Sequence, residues 1–109
     1  MEALKGDPNN PRALYSYASL YYATDDLETA EELLVRAVTA DPEYSPALSA
    51  LASIRARRGD FGASLDLIEK AVAAGEQDAE HFEKAMEFAP LRNNPRFRSL
   101  LARMGGRRG

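Results

Sequence analysis

The chain has 109 residues, 45% hydrophobic and 28% charged, with a formal net charge of −3 and no cysteine. A compact domain of this size buries roughly 60–70% of its unfolded surface, enough for a core without covalent staples. The missing cysteine removes disulfides, thiolate nucleophiles and cysteine metal sites together; no run approaches the ~20 apolar residues of a membrane span and no signal peptide opens the chain, so it reads as soluble and cytoplasmic.

The spacing predicts a first helix over 11–23. Asn10 caps it, and Pro11 suits the first helical position, where its missing N–H would have no partner. Leu14, Tyr17, Ala18 and Tyr21 form one buried stripe. Asp25 and Glu28 supply a capping box for a second helix, about 26–40, which buries Leu27, Ala30, Leu34, Ala37 and Val38. Asp41-Pro42 ends it, because proline disfavours helix at the residue before it.

Ser45 and Pro46 open a third helix to about residue 58, with Leu48, Leu51 and Ala52 inward. Gly59-Asp60 makes the turn. The fourth helix, 61–74, carries Phe61, Ser64, Leu65, Ile68, Ala71 and Val72, and Gly75 stops it. Asp78 caps a further helix whose expected apolar stripe is Phe82, Ala85, Met86 and Ala89, cut off at Pro90. Asn93-Asn94-Pro95 signals a new start, and Phe97, Leu100, Leu101 and Met104 form the last stripe before Gly105-Gly106.

These elements repeat every 34 residues. Ala3, Ala37 and Ala71 fall in step, as do Asp7-Pro8 and Asp41-Pro42, Leu14 and Leu48, Ala18 and Ala52, and Leu34 and Ile68. A fixed period of this length marks a solenoid of stacked helix pairs, in which one unit cannot bury its apolar face alone. Small residues at Ala18, Ala30, Ala37, Ala52 and Ala71 let antiparallel helices approach, while larger ones fill the grooves.

The period and its fixed positions resemble the tetratricopeptide repeat. Leu14, Tyr17, Ala18, Tyr21, Ala30, Leu34, Ala37 and Pro42 fill the pattern of one repeat, and Leu48, Leu51, Ala52, Ser64, Ile68 and Ala71 that of a second. The second departs at Arg55, where an aromatic is usual, and at Glu76, where proline is usual. Residues 71–104, with Leu91, Asn94, Pro95, Phe97 and Leu100, look like the module that closes many such arrays. The resemblance covers about residues 3–104 and implies an all-α solenoid of antiparallel helix pairs in a right-handed superhelical stack. As one domain over 1–109, the chain divides into the tail of a truncated repeat (3–8), repeat one (11–42), repeat two (45–76), capping helices (78–104) and a frayed end (105–109). Because Ala3, Leu4, Asp7 and Pro8 match the end of a second helix, the chain reads as a domain excised from inside a repeat, with a partial capping turn as the alternative.

No catalytic constellation stands out. His81 is the single histidine, placed on the solvent side near Glu80 and Glu83, so no metal or other cofactor is expected. The acid pairs Asp25/Asp26 and Glu31/Glu32 read as surface residues, and Gly105-Gly106 follows a helix instead of opening one as a phosphate loop does. The charge is uneven: residues 1–89 hold eight Lys/Arg and all 17 Asp/Glu, a net of −9, whereas 90–109 hold six arginines and no acid. Arg92, Arg96, Arg98 and Arg103 fall in or beside the last predicted helix; Arg107 and Arg108 alone are too few to argue for nucleic acid.

The expectation is therefore a non-catalytic scaffold that binds a peptide segment of a protein partner. The resemblance implies that the first helix of each pair lines a concave groove. That gives Arg12, Tyr15, Ser19 and Tyr22 in repeat one; Pro46, Ser49, Ser53, Ala56 and Arg57 in repeat two; and Glu80, Glu83 and Glu87 beyond them. Tyrosine and arginine are common interface anchors, and Tyr15 and Tyr22 packing on Tyr44 or the neighbouring repeat is the competing reading. The family's clamp for chaperone carboxyl termini uses lysine and asparagine at positions where Tyr15, Ser19, Ser49 and Ser53 stand, so that ligand is not expected. The glutamates favour a partner with a basic portion. Self-association, and a role as the C-terminal regulatory module of a larger protein, are the alternatives.

Overall fold

A computed structural model describes residues 9–105, and the expected upstream repeat tail and final residues lie outside them. The described chain is helical throughout, with no strand. Its elements are α1 (Pro11–Ala23), α2 (Leu27–Ala40), α3 (Ser45–Arg57), α4 (Phe61–Ala73), α5 (Ala79–Lys84), a 3₁₀ helix (Met86–Leu91) and α6 (Pro95–Gly105). α1 pairs antiparallel with α2 and α3 with α4; α2 then lies against α3, joining the pairs.

Local chemistry sets the boundaries. The Asn10 side chain accepts from the Ala13 N–H at 3.0 Å, Asp60 from Ala63 at 3.3 Å, Asp78 from His81 at 3.1 Å and Asn94 from Phe97 at 3.1 Å. Each satisfies an N–H that the first helical turn leaves without a partner. One expected cap is corrected: Asp26, not Asp25, caps α2, accepting from Thr29 at 3.2 Å. Asp25 instead takes the left-handed conformation, φ 67°, that Gly59 adopts one period later at φ 80°. A tight turn between antiparallel helices needs such a residue, and aspartate tolerates the region better than most side chains.

Two clusters of apolar side chains make up the interior. Leu14, Ala18, Leu34 and Ala37 meet Ala47, Leu51 and Ile54 of α3 in the first. In the second, Ala52 and Ala56 of α3 join Leu65 and Ile68 of α4 and the aromatic side chains of the cap. α3 is therefore buried on opposite sides, and Ala47, Ser53, Ile54 and Ala56 are enclosed as well as the expected Leu48, Leu51 and Ala52. A helix flanked on both sides loses the polar–apolar contrast from which a single inward stripe is read.

Arg55, the departure from the aromatic usual in the repeat, pairs with Glu31 of α2 at 2.6 Å, and Arg58 takes the other oxygen of the same carboxylate at 2.7 Å. The Glu31 side chain is only 14% exposed, so this ion pair ties the two repeats together in a partly desolvated place. Glu76, the second departure, accepts from the Ser49 hydroxyl and the Asp78 N–H, both at 3.1 Å.

The expected stripe Phe82, Ala85, Met86, Ala89 is overturned. α5 ends at Lys84, Ala85 is extended (ψ 133°), and a 3₁₀ helix carries the chain through Pro90. The break rotates the face that follows: Met86 is 83% exposed, Ala89 is exposed, and Phe88 is fully buried. Phe88 lies 5.2 Å from the Phe82 ring and 6.0 Å from Phe97, with ring planes tilted 48° and 29°. A continuous α-helix would have placed a methionine where the aromatic trio now closes the core. Phe88→Ala should lower stability in urea denaturation by about 3–5 kcal/mol, against less than about 0.5 kcal/mol for Met86→Ala; comparable losses at the two positions would contradict this arrangement.

Candidate functional site

One face of the stack opens into a cleft of about 410 Å³. α1 contributes Tyr15, Ala18, Ser19 and Tyr22, a set at helical spacing along one edge. α3 contributes Pro46, Ser49, Ala50 and Ser53, and Leu34 of α2 lies at the base. Tyr15 and Ser19 stand 34 residues before Ser49 and Ser53, so the same two repeat positions line the cleft twice. The far end is formed by Glu76 and Asp78 in the turn after α4, His81 of α5 and Glu87 of the 3₁₀ helix.

Of the expected groove residues, Tyr15, Ser19, Tyr22, Pro46, Ser49, Ser53 and Glu87 come together here. Arg57 lies beside them, its guanidinium 5.2 Å from the centre of the Tyr22 ring and ion-paired with Asp25. Arg12 does not join them. It lines a separate opening of about 450 Å³ with Asn10, Ala13, Ser16, Tyr17 and Leu20. Glu83 is also absent from the cleft: its carboxylate pairs with Arg98 at 3.0 Å and its carbonyl accepts from Arg92 at 3.1 Å. Glu80 pairs with Lys84 at 2.6 Å, and Ala56 is buried in the core.

Tyr15 packs within the chain and also lines the cleft. Its ring lies edge-on to Tyr44, 6.1 Å between centres, and its remaining surface lines the cleft. The pairing fixes the ring and reduces the side-chain entropy that an incoming ligand must quench. Glu76, Asp78 and His81 escaped the sequence reading as groove residues. Each already had a sufficient local role, as a turn residue, a helix cap and a surface histidine, and only the bend after Gly75 brings them to the cleft.

Three carboxylates and no lysine or arginine line the cleft. Among the described residues, no group of three or more side chains is arranged to hold a metal ion, and no helix is long and apolar enough to cross a membrane. Half-burial pushes the Tyr22 hydroxyl above the ordinary tyrosine pKa of 10.0, with nearby Glu87 adding to the rise and Arg57 opposing it. The cleft can thus offer hydroxyls, carboxylates and aromatic surface to a neighbour.

A family model of the tetratricopeptide repeat matches residues 2–54, which take in α1, α2 and most of α3. No curated protein and no solved structure matches the chain.

The Tyr22 shift makes a directional prediction. The folded state holds the phenolic proton more tightly than the unfolded chain, so its contribution to stability is complete below about pH 10 and is lost as pH rises beyond it. A titration of phenolate absorbance should show a step above 10.0 that Tyr22→Phe removes; an unchanged titration curve in that variant would refute the assignment.

Proposed function

The chain belongs to the tetratricopeptide repeat family, and on that premise we propose that it is a non-catalytic cytoplasmic scaffold that binds a segment of a protein partner in the α1–α3 cleft. Tetratricopeptide repeats are protein–protein interaction modules. The observation that carries the reading is the lining itself: Tyr15 and Tyr22 along one edge, serines at matching positions of two repeats, and a base of Ala18, Leu34 and Ala50. Mixed aromatic and hydrogen-bonding surface on rigid helices suits an extended or helical peptide, since the tyrosine rings supply area and the hydroxyls fix register.

The test is capture from source-cell lysate with the intact chain, with a Tyr15→Ala/Tyr22→Ala/Arg57→Ala variant and with Ser19→Trp, each checked for helicity. Ser19 is exposed, so tryptophan there fills the cleft without entering the core. A protein held by the wild type and lost from both folded variants is the expected result. The same set captured by all three would end the groove reading.

Self-association is a second reading, favoured by Leu20. It is 63% exposed, whereas Ile54, the same position one period later, is completely buried in the core that α1, α2 and α3 share. An aliphatic side chain at a position enclosed elsewhere in the stack suits an assembly edge. On this reading, sedimentation would give a mass that rises with concentration in the wild type and stays monomeric in Leu20→Glu; a constant monomer mass for the wild type would dismiss it.

A further inference from the structure

Resting on the groove reading, we infer that the far end of the cleft is a subsite for one lysine or arginine side chain of the bound segment, held by Glu87 and Asp78 with the Ser53 hydroxyl at its floor. The acids in this region are not equivalent. Glu80 and Glu83 are matched within the chain by Lys84 and Arg98. Among the described residues, the cleft acids Glu76, Asp78 and Glu87 form no ion pair. Glu76 is committed at both oxygens, to the Ser49 hydroxyl and the Asp78 N–H. Asp78 uses Oδ1 for the His81 N–H and retains Oδ2. Glu87 reaches the site from the 3₁₀ helix, in the electrostatic field of the Tyr22 hydroxyl.

Ser53 provides an independent indication of a ligand. It is 6% exposed, lines the cleft, and its hydroxyl has no hydrogen-bond partner among the described residues. Serines in helices commonly satisfy themselves on the preceding turn, as Ser19 does on the Tyr15 carbonyl at 3.0 Å. The hydroxyl opens onto the cleft, where a ligand donor reaching that point would engage it. A cationic head brings several donors, and its aliphatic stem suits the apolar lining of Ala18, Leu34 and Ala50. An acidic segment would instead meet the like charges of Glu87 and Asp78.

Selection of a random-peptide display library on the intact chain, followed by fluorescence anisotropy of a labelled selected peptide, tests this directly. Glu87→Gln and Asp78→Asn remove charge while preserving shape, and asparagine keeps the cap of α5. Selected peptides should share a basic residue and bind less tightly as salt increases. Each isosteric variant should weaken binding about ten-fold, equivalent to about 1.4 kcal/mol. Replacing the peptide's arginine by citrulline, or its lysine by norleucine, should weaken wild-type binding but add little further loss in Glu87→Gln. Peptides that Ser19→Trp excludes but that show no basic preference, or no response to Glu87→Gln and Asp78→Asn, would overturn the cation subsite and leave the groove intact. No selected peptides, or binding indifferent to Ser19→Trp, would overturn both.

Discussion

Everything in this molecule depends on α3 having to serve two neighbours. A pair of antiparallel helices buries the faces turned toward each other and leaves another apolar face unmet, so it is stable only when the next pair covers it. Here α3 presents Ala47, Leu51 and Ile54 to the first core and Ala52 and Ala56 to the second. The small residues are decisive: alanine at the crossing points lets the backbones come close enough for leucine and isoleucine to interlock. The Glu31–Arg55/Arg58 contact adds a charged tie between the pairs, and its partly buried carboxylate makes the relative placement of α2 and α3 specific.

After α4 the repeat geometry breaks. A third regular pair would expose another apolar face; instead α5 stops after six residues, the chain turns at Ala85, and Phe82, Phe88 and Phe97 fill the space over α3 and α4. α6 then covers the edge. Its basic character finds acids of the body: Arg96 reaches Asp66 at 2.8 Å and Glu69 at 2.7 Å, and Arg98 reaches Glu83. Arg92 adds a hydrogen bond to the Glu83 carbonyl. The uneven charge along the chain is thus largely an orientation device for the cap, since exposed pairs of this kind contribute specificity more than strength. Arginines engaged in this way are less available to an external polyanion.

The same break shapes the cleft. Because the chain bends after Gly75 and again at Ala85, Glu76, Asp78, His81 and Glu87 return to the side where α1 and α3 present their tyrosines and serines. The far end of the cleft and the covering of the second core are made from one irregular segment, so a substitution that restores regular helix there would alter both. At the opposite end, Arg57 spans Asp25 and the face of Tyr22, holding that ring in place across the two repeats.

The sequence by itself determined the helix pairs and most of their limits, because capping chemistry and proline act within a few residues. Asn10, Asp78 and Asn94 cap as their positions predict, and the 34-residue period fixes which alanines and leucines face each other. The family resemblance also implied one surface for Tyr15, Ser19, Tyr22, Ser49 and Ser53, and these five line one cleft. Tertiary structure decided what periodicity could not carry. Asp25 and Asp26 differ by a backbone sign that the turn imposes, and Phe88 rather than Met86 is enclosed because three aromatic rings pack better than one helix continues. Arg12 lines a separate opening and Glu83 is held by Arg98, while Glu76, Asp78 and His81 enter the cleft through a bend with no repeat equivalent. Local signals are written residue by residue; the contents of a cleft depend on segments that meet only after the chain has turned.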